Sequence, residues 1–234
     1  MITSTQNEKI KFIKKLSDNN DYLFLDSPKL IEEAIKSDFK ILYLVVEFEK
    51  IQKFKNTLKY AKECNSEIIE VSERVFNSLT NTIWSQGIIG ITSYKKRDFA
   101  PPDKNYLVLD GLQDPGNVGT LIRSAIGFGF DDVYLLNCVR ASNDKVVRST
   151  MGAVFRSRFY ELSREEFIQK YKSFKNKNLV IADMNGENIL NSKIEMPCGI
   201  VIGNEGNGVS EEITKFASQK ISIPMKNNLE SLNA

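Results

Sequence analysis

The stretch "YLVLDGLQDPGNVGTLIRSAIGFGF" (residues 106–130) decides how the chain is read. Tyr106 to Asp110 is a short run, apolar up to its last residue, and predicts a strand buried on both faces. A Gly/Pro turn follows, then helical spacing over about 118–128 with Val118, Leu121, Ile122 and Ala125 as the apolar stripe. A strand, a tight turn and a helix start together suit anion binding. Arg123 falls on another face, with Gly119 and Gly127 four residues to either side. Neighbours one turn away crowd a helical side chain. Here both lack side chains, which leaves room around the guanidinium for a substrate. The same residues also read as a solvated arginine after a plain N-cap at Asn117, and this segment alone leaves both readings open.

Outward from it, apolar runs alternate with helical patterns. Strands are expected at 132–137, 156–160, 179–184, 198–203 and 220–224, with helices near 144–152, 164–175 and 210–217. Strands rich in Val, Ile and Leu between helices indicate a parallel sheet covered on both faces. Ligands on such sheets bind at the carboxyl ends of the strands. That points to the loops after Asp110, Asp183, Gly203 and Pro224. The first part reads as a smaller α/β unit, with helices at 7–17, 27–37, up to about 62 and at 73–79. Its strands are expected at 22–25, 41–46, 67–71 and 87–93. Ser27 is a natural N-cap there, with Pro28 at the first helical position. "YKKRDFAPPDKN", with its Pro-Pro pair, reads as a linker. The expected division is 1–94, a linker at 95–104, and a second domain at 105–234.

Composition narrows the chemistry. The chain has 234 residues, 41% hydrophobic and 26% charged, with a net charge of only +2. These are ordinary globular values, and a local basic patch can still bind nucleic acid. Cys64, Cys138 and Cys198 are isolated and suggest neither zinc nor a disulfide framework. There is no histidine, which removes Ser-His-Asp triads, Cys-His pairs, His-ligated metals and the commonest general base. No metal is expected. The N-terminus lacks a signal-peptide core and no apolar run is long enough for a bilayer. A cytoplasmic protein without membrane attachment is the expectation.

Two further loops carry unusual chemistry. "VIGNEGNGVS" (201–210) sets three glycines directly after a buried strand, where backbone can approach a ligand closely. It lacks the Gly-Lys-Ser/Thr of a P-loop, and its glycines run G-x-x-G-x-G rather than GxGxxG. Glu205 inside the loop would repel phosphate. A flexible loop capped by Ser210 is the plainer reading. The other is "ISIPMKNNLESLNA" (221–234), a short strand running into a polar cluster where a frayed end is the ordinary expectation.

Together, N-x5-R after the glycine turn, "GNEGNG", "IPM" and "ESLN" resemble the three motifs of the SpoU branch (TrmH-type) of SPOUT RNA methyltransferases, over essentially all of 105–234. Residues 1–95 resemble that family's ribosomal-protein-like α/β substrate-binding domain. There "FLDSPKLIEEA" has Asp26-Ser27 where members commonly have Glu-Gly.

The resemblance implies a trefoil-knotted α/β SPOUT domain that transfers a methyl group from S-adenosyl-L-methionine to a ribose 2′-hydroxyl, in rRNA rather than tRNA. It implies cofactor contacts at Gly203, Ile223 and Leu232, with Ile202, Met225, Asp183 and Met184 beside them. Arg123 is the implied catalytic group, with Asn117, Glu205, Ser231 and Asn233 orienting it, the ribose and the cofactor. RNA contacts are expected from Arg140, Lys145, Arg148, Arg156 and Arg158, a basic concentration able to track several phosphates. Each of these could equally lie on a solvated face. A homodimer is implied where the family's helix follows "SLN". The sequence ends at Ala234, so weak cofactor binding, poor dimerisation or a longer natural product is expected. Two other readings stand beside this one: a non-catalytic RNA-binding protein of the same fold, and a nucleotide-binding α/β enzyme such as a phosphotransferase.

Overall fold

The apolar runs form the strands and the helices lie between them. The computed structural model describes residues 1–80, 85–94, 97–226 and 233. Packing divides the chain into two units, Met1–Lys95 with Ser142–Phe155, and Lys96–Ala141 with Arg156–Ala234.

The first unit is built on α1 (Glu8–Ser17), β1 (Tyr22–Leu25), α2 (Pro28–Lys36), β2 (Ile41–Glu47), a 3-10 turn at Phe48–Phe54, α3 (Lys55–Glu63), β3 (Glu67–Val71), α4 (Glu73–Asn77) and β4 (Ile88–Ser93). Its sheet runs β1-β4-β2-β3. β2 and β3 are parallel, and β4 is antiparallel to both its neighbours. The Ser27 side chain accepts the Leu30 N–H at 3.3 Å with Pro28 at the helix start, as the sequence predicts. Ile10, Ile13 and Leu16 of α1 pack with Val45, Ile69, Val75, Phe76 and Ile91 into one core.

The remaining elements, in chain order, are β5 (Tyr106–Asp110), α5 (Pro115–Gly127), β6 (Asp132–Leu136), α6 (Asp144–Ser149), β7 (Arg158–Leu162), α7 (Arg164–Tyr171), β8 (Leu179–Asn188), β9 (Gly199–Gly203), α8 (Glu211–Thr214) and β10 (Gln219–Ser222). All but α6 belong to the second unit. The stretch Ser142–Phe155, which the sequence division puts inside 105–234, packs with the first unit. Val146 and Val147 are buried there, Arg148 Nη1 reaches Asp26 Oδ2 at 2.6 Å, and the Phe155 ring lies 5.1 Å from that of Phe39. α6 stops short of the expected 152 because Met151 and Gly152 take left-handed φ values of 51° and 97°. A helix cannot continue through such a pair.

The second unit's six strands are all parallel, in the order β10-β8-β9-β5-β6-β7. From β5 the chain builds outward through β6 and β7, then returns on the other side of β5 to build β8, β9 and β10. The switch in direction lies between β5 and β9, where Asp110 pairs in register with Gly203. Such a switch point opens a crevice at the carboxyl ends of the strands. One face of the sheet is cemented by aromatic side chains, among them Tyr106, Tyr134, Tyr160, Phe167 and Phe174. Tyr134 stacks on Tyr160 at 4.9 Å and meets Tyr106 edge-on at 5.6 Å. Contacts of this kind add about 0.5–1.5 kcal/mol each beyond the area they bury.

β7 begins at Arg158, two residues later than expected, because its parallel pairing with β6 starts with Asp132 opposite Arg158. β8 runs past 184 to Asn188, and its pairing with β10 slips between Lys220 and Ile221. Lys220 pairs with Ile181 and Ile221 with Glu187, so the register jumps across residues 182–186 of β8. Among the described residues, no helix is long and apolar enough to cross a membrane.

Candidate active site

The helix that carries Arg123 starts earlier than its apolar stripe suggests. Asp114 is its N-cap, accepting the Asn117 N–H at 2.8 Å, and Pro115 takes the first helical position. Asn117 is therefore not the cap. It sits one turn in, and its amide is free to bond elsewhere. The amide Nδ2 donates to Glu205 Oε1 at 2.5 Å and to Asn233 Oδ1 at 3.3 Å. Asn233 Nδ2 donates back to Asn117 Oδ1 at 2.7 Å. Three of the five expected catalytic residues, 88 and 116 positions apart in the chain, thus share one hydrogen-bonded cluster. Ser231 and Leu232 lie outside the described residues.

Arg123 is exposed, and among the described residues it has no hydrogen-bond or ion-pair partner. A Cβ on Gly127 would meet nothing within 4 Å, so that side of the guanidinium is open. Gly119 is buried, so the open side is the one towards the helix end.

Glu205 is held in place by its own loop. Asn204 and Gly208 bond both ways through their backbones, at 3.0 and 2.8 Å. The Asn204 side chain accepts from the N–H groups of Gly206 and Asn207 and donates to the Gly111 carbonyl at 3.1 Å. The loop closes so tightly on Gly203 that a Cβ there would lie 2.2 Å from the Gly208 carbonyl carbon and 2.3 Å from the Val209 nitrogen. Both obstacles are backbone and cannot swing away. Gly203→Ala is expected to cost at least about 2 kcal/mol. Scanning calorimetry should show the second unit's transition falling by roughly 4–8 °C.

The far end of the same loop is pinned from below. Asp110 at the end of β5 is wholly buried, with Oδ1 accepting from Arg164 Nε at 2.6 Å and Oδ2 from the Ser210 N–H at 2.8 Å. Ser210 stands at the N-cap of α8, but its hydroxyl is not the expected cap. The side chain makes no capping bond, and the buried Oγ has no hydrogen-bond partner among the described residues. Sequence reasoning passed over Asp110 and Arg164. The available signal was a carboxylate ending an otherwise apolar buried strand, which needs a cation or N–H groups as partners. Cys138 also lies here, accepting from the Leu112 N–H at 3.3 Å. Burial pushes its thiol up to about 11, which leaves it a poor nucleophile.

The described residues expected to hold the cofactor lie on β8 and β9 and just after β10, which are adjacent in the sheet. Met184 on β8 and Ile223 just after β10 are exposed, and Met225 and Ile202 are half-buried. Lys220 Nζ donates to Asp183 Oδ2 at 2.8 Å. That bond, then the Asn185 N–H and the lysine charge, hold the Asp183 carboxyl below its ordinary 3.8. A depressed folded pKa gives stability that is present above the unfolded value and lost as pH falls through the folded one. Lys220→Met is expected to return the Asp183 pKa towards 3.8 and to remove that acid-side loss. Carboxyl NMR titration measures it.

This donor set fits S-adenosylmethionine better than a nucleotide phosphate. Exposed apolar side chains and glycine backbone lie on the strands that carry the Asp183 carboxylate, and the adjacent cation, Lys220, is tied to it.

The expected RNA contacts divide. Arg140, Lys145 and Arg156 are exposed. Arg158 instead grips Asp132 with Nε and Nη2, both at 2.6 Å, and Arg148 is held by Asp26. Both guanidinia hold ion pairs within the protein while keeping part of their surface in solvent, 41% for Arg158 and 28% for Arg148.

Two family profiles match different parts of the chain. Residues 104–234 match the profile of the SpoU rRNA Methylase family. The chain belongs to the SpoU rRNA methylase family. Residues 28–96 match the RNA 2′-O ribose methyltransferase substrate binding profile, so this SpoU protein carries the family's substrate-binding module in its first unit. It is 28% identical to the 23S rRNA (guanosine(2553)-2′-O)-methyltransferase RlmP of Bacillus subtilis, over 99% of this chain and 93% of that protein. It superposes on an rRNA methyltransferase from Sinorhizobium meliloti with a TM-score of 0.84 at 25% identity, over 99% of this chain and 91% of that one. The AdoMet-bound structure of an rRNA methyltransferase from the same organism gives a TM-score of 0.83 at 25% identity, with the same coverage. The α/β fold, the RNA methyltransferase family and S-adenosylmethionine as its cofactor are those expected from the motifs.

Proposed function

We propose that this SpoU protein methylates a ribose 2′-hydroxyl of large-subunit rRNA, with Arg123 as its catalytic residue. The observation that carries this reading is the Asn117–Glu205–Asn233 cluster at the switch point, on the helix that presents an Arg123 unpaired among the described residues. S-Adenosylmethionine, when bound, supplies an activated sulfonium methyl, so the protein has only to align a nucleophile and manage one proton. Ile202, Gly203, Ile223 and Met225, with Asp183 and Met184, would hold it.

An arginine guanidinium is a permanent cation in proteins. The part of Arg123 is electrostatic: it stabilises the alkoxide as the hydroxyl proton leaves and grips the adjacent phosphate with its fork of N–H groups. Asn117 carries the geometry. Anchored by Glu205 and Asn233, its amide fixes the first turns of α5 against the glycine loop.

Working as a homodimer and in the cytoplasm belong to the same proposal. The test is incubation with labelled S-adenosylmethionine and unmodified 23S rRNA, followed by mapping of 2′-O-methyl nucleotides. A single methylated ribose is expected. Calorimetric binding of ATP in place of S-adenosylmethionine would sink the reading and favour a nucleotide-binding enzyme. Cofactor-independent RNA binding without transfer would favour a non-catalytic protein.

A further inference from the structure

The sequence places most weight on basic residues near 140–158, and the first unit carries a second basic surface elsewhere. Residues 48–63 carry five lysines against two glutamates, a surplus of three where the entire chain nets +2. The 3-10 turn and α3 that they form enclose an open trough of about 400 Å³, lined by Ile51, Gln52, Lys55, Leu58, Lys59 and Lys62.

The lining follows from helix geometry. Lys55, Leu58, Lys59 and Lys62 stand at i, i+3, i+4 and i+7, one face of α3. All three lysines are exposed, while Ile51 and Leu58 are half-buried and form the floor. Lys55 and Lys62 have no carboxylate partner among the described residues. Lys59 has only a loose one, Glu63 at 4.0 Å, with both side chains largely in solvent. Exposed pairs of that kind hold a lysine weakly. Some basic side chains of this unit are more firmly engaged: Lys50, in the same stretch, with Glu47 at 2.7 Å, Lys11 with Glu8 at 2.9 Å and Arg148 with Asp26 at 2.6 Å.

We propose that this trough on α3 is an RNA-docking surface, in which Lys55, Lys59 and Lys62 track consecutive backbone phosphates while Ile51 and Leu58 pack against ribose. The inference rests on the RNA reading above. Charge complementarity selects the occupant. Four residues along a helix advance about 6 Å, so Lys55 and Lys59 are spaced like neighbouring phosphates of a nucleic-acid strand. The apolar floor between them suits sugar faces better than the carboxylates of an acidic peptide. Lysine, a flexible point charge, neutralises phosphates without reading sequence, so this surface adds affinity and leaves choice of nucleotide to the catalytic unit.

The test compares K55Q/K59Q/K62Q with wild type and with K11Q/K14Q/K15Q on α1, which removes the same charge elsewhere. Glutamine is a good helix former, and equal melting temperatures check that α3 survives. Affinity for a 23S rRNA transcript is measured across a potassium chloride series. Each lost phosphate contact lowers the log–log salt slope by about 0.7 for single-stranded RNA. The α3 variant should therefore lose about two units of slope, with a raised KM for rRNA and unchanged kcat at saturating rRNA. The α1 variant should keep its slope. An unchanged slope in the α3 variant, or an equal loss in both, overturns the proposal. Wild type that binds RNA through these lysines but transfers no methyl group would leave the docking surface standing and reject the catalytic reading.

Discussion

Arg123→Ala should lose methyl transfer by a factor of about 10³ in kcat while its affinity for S-adenosylmethionine stays within about threefold of wild type. The size follows from the cost of removing one group aimed at a developing oxyanion, typically about 10²–10³, plus the loss of its grip on the neighbouring phosphate. Cofactor affinity is spared because the residues assigned to it lie on β9 and around β8 and β10, not on α5. Stability is spared too. Arg123 is exposed and unpaired among the described residues, and a surface substitution of that kind changes stability by about 0.5 kcal/mol or less. Lost activity cannot then be blamed on unfolding. Arg123→Lys separates charge from fork: it keeps the cation and loses the bidentate geometry, so an intermediate rate is expected. Single-turnover transfer of labelled methyl at saturating rRNA gives the rate, and titration calorimetry gives the affinity. Near-normal turnover in the alanine variant would remove Arg123 from its assigned role.

That argument depends on how much of α5 could be read in advance. The strand Tyr106–Asp110 lies where its apolar run places it, because a strand buried on both faces needs no partner to be recognised. The helix start was less legible. Asn117 and Asp114 are both acceptable caps by residue type, and Pro115 at the first position settles the matter only once Asp114 is seen to accept the Asn117 N–H. The cluster of Asn117, Glu205 and Asn233 was legible only through its motifs, since nothing local in the sequence ties positions 117 and 233. Arg158 shows a partner that the sequence did not disclose. A basic run suggested nucleic acid, but parallel pairing of β6 with β7 sets Asp132 opposite Arg158, and their ion pair is a consequence of register. Register cannot be read from charge alone. The assignment of Ser142–Phe155 to the first unit was hidden for the same reason: burial of Val146 and Val147 says that α6 packs, not against what.

The second large effect is expected at Asp110, which the motif reading used only as a strand end. Its carboxylate is wholly buried and makes two bonds, one to Arg164 and one to the Ser210 N–H. Removing one member of a buried ion pair costs about 3–5 kcal/mol, because the other charge is left without compensation. Arg164 keeps about 29% exposure, so water relieves part of that cost and the lower end, about 3 kcal/mol, is expected for Asp110→Ala. The second unit's melting temperature should fall by roughly 6–12 °C. Asp110→Asn keeps the shape and an oxygen for Ser210, but turns an amide N–H towards the guanidinium. Adding Arg164→Gln replaces that clash of donors with an amide pair. The double variant should therefore recover part of the stability lost in D110N, a coupling of about 0.5–3 kcal/mol in a double-mutant cycle.

Activity gives the readout that stability alone would not move. Asp110 holds one end of the loop at Ser210, and Asn204 holds the other through the Gly111 carbonyl. Glu205 lies between them and anchors Asn117. Measured well below its melting temperature, D110N should lose at least about tenfold in kcat, with KM for rRNA unchanged and turnover partly restored by R164Q. Wild-type turnover and additive stabilities would show that the buried carboxylate merely fills space at the end of its strand. The expected coupling would show instead that the glycine loop keeps its shape through a charge buried beneath it, a role open to Asp110 because it alone ends β5 on a polar group inside the core.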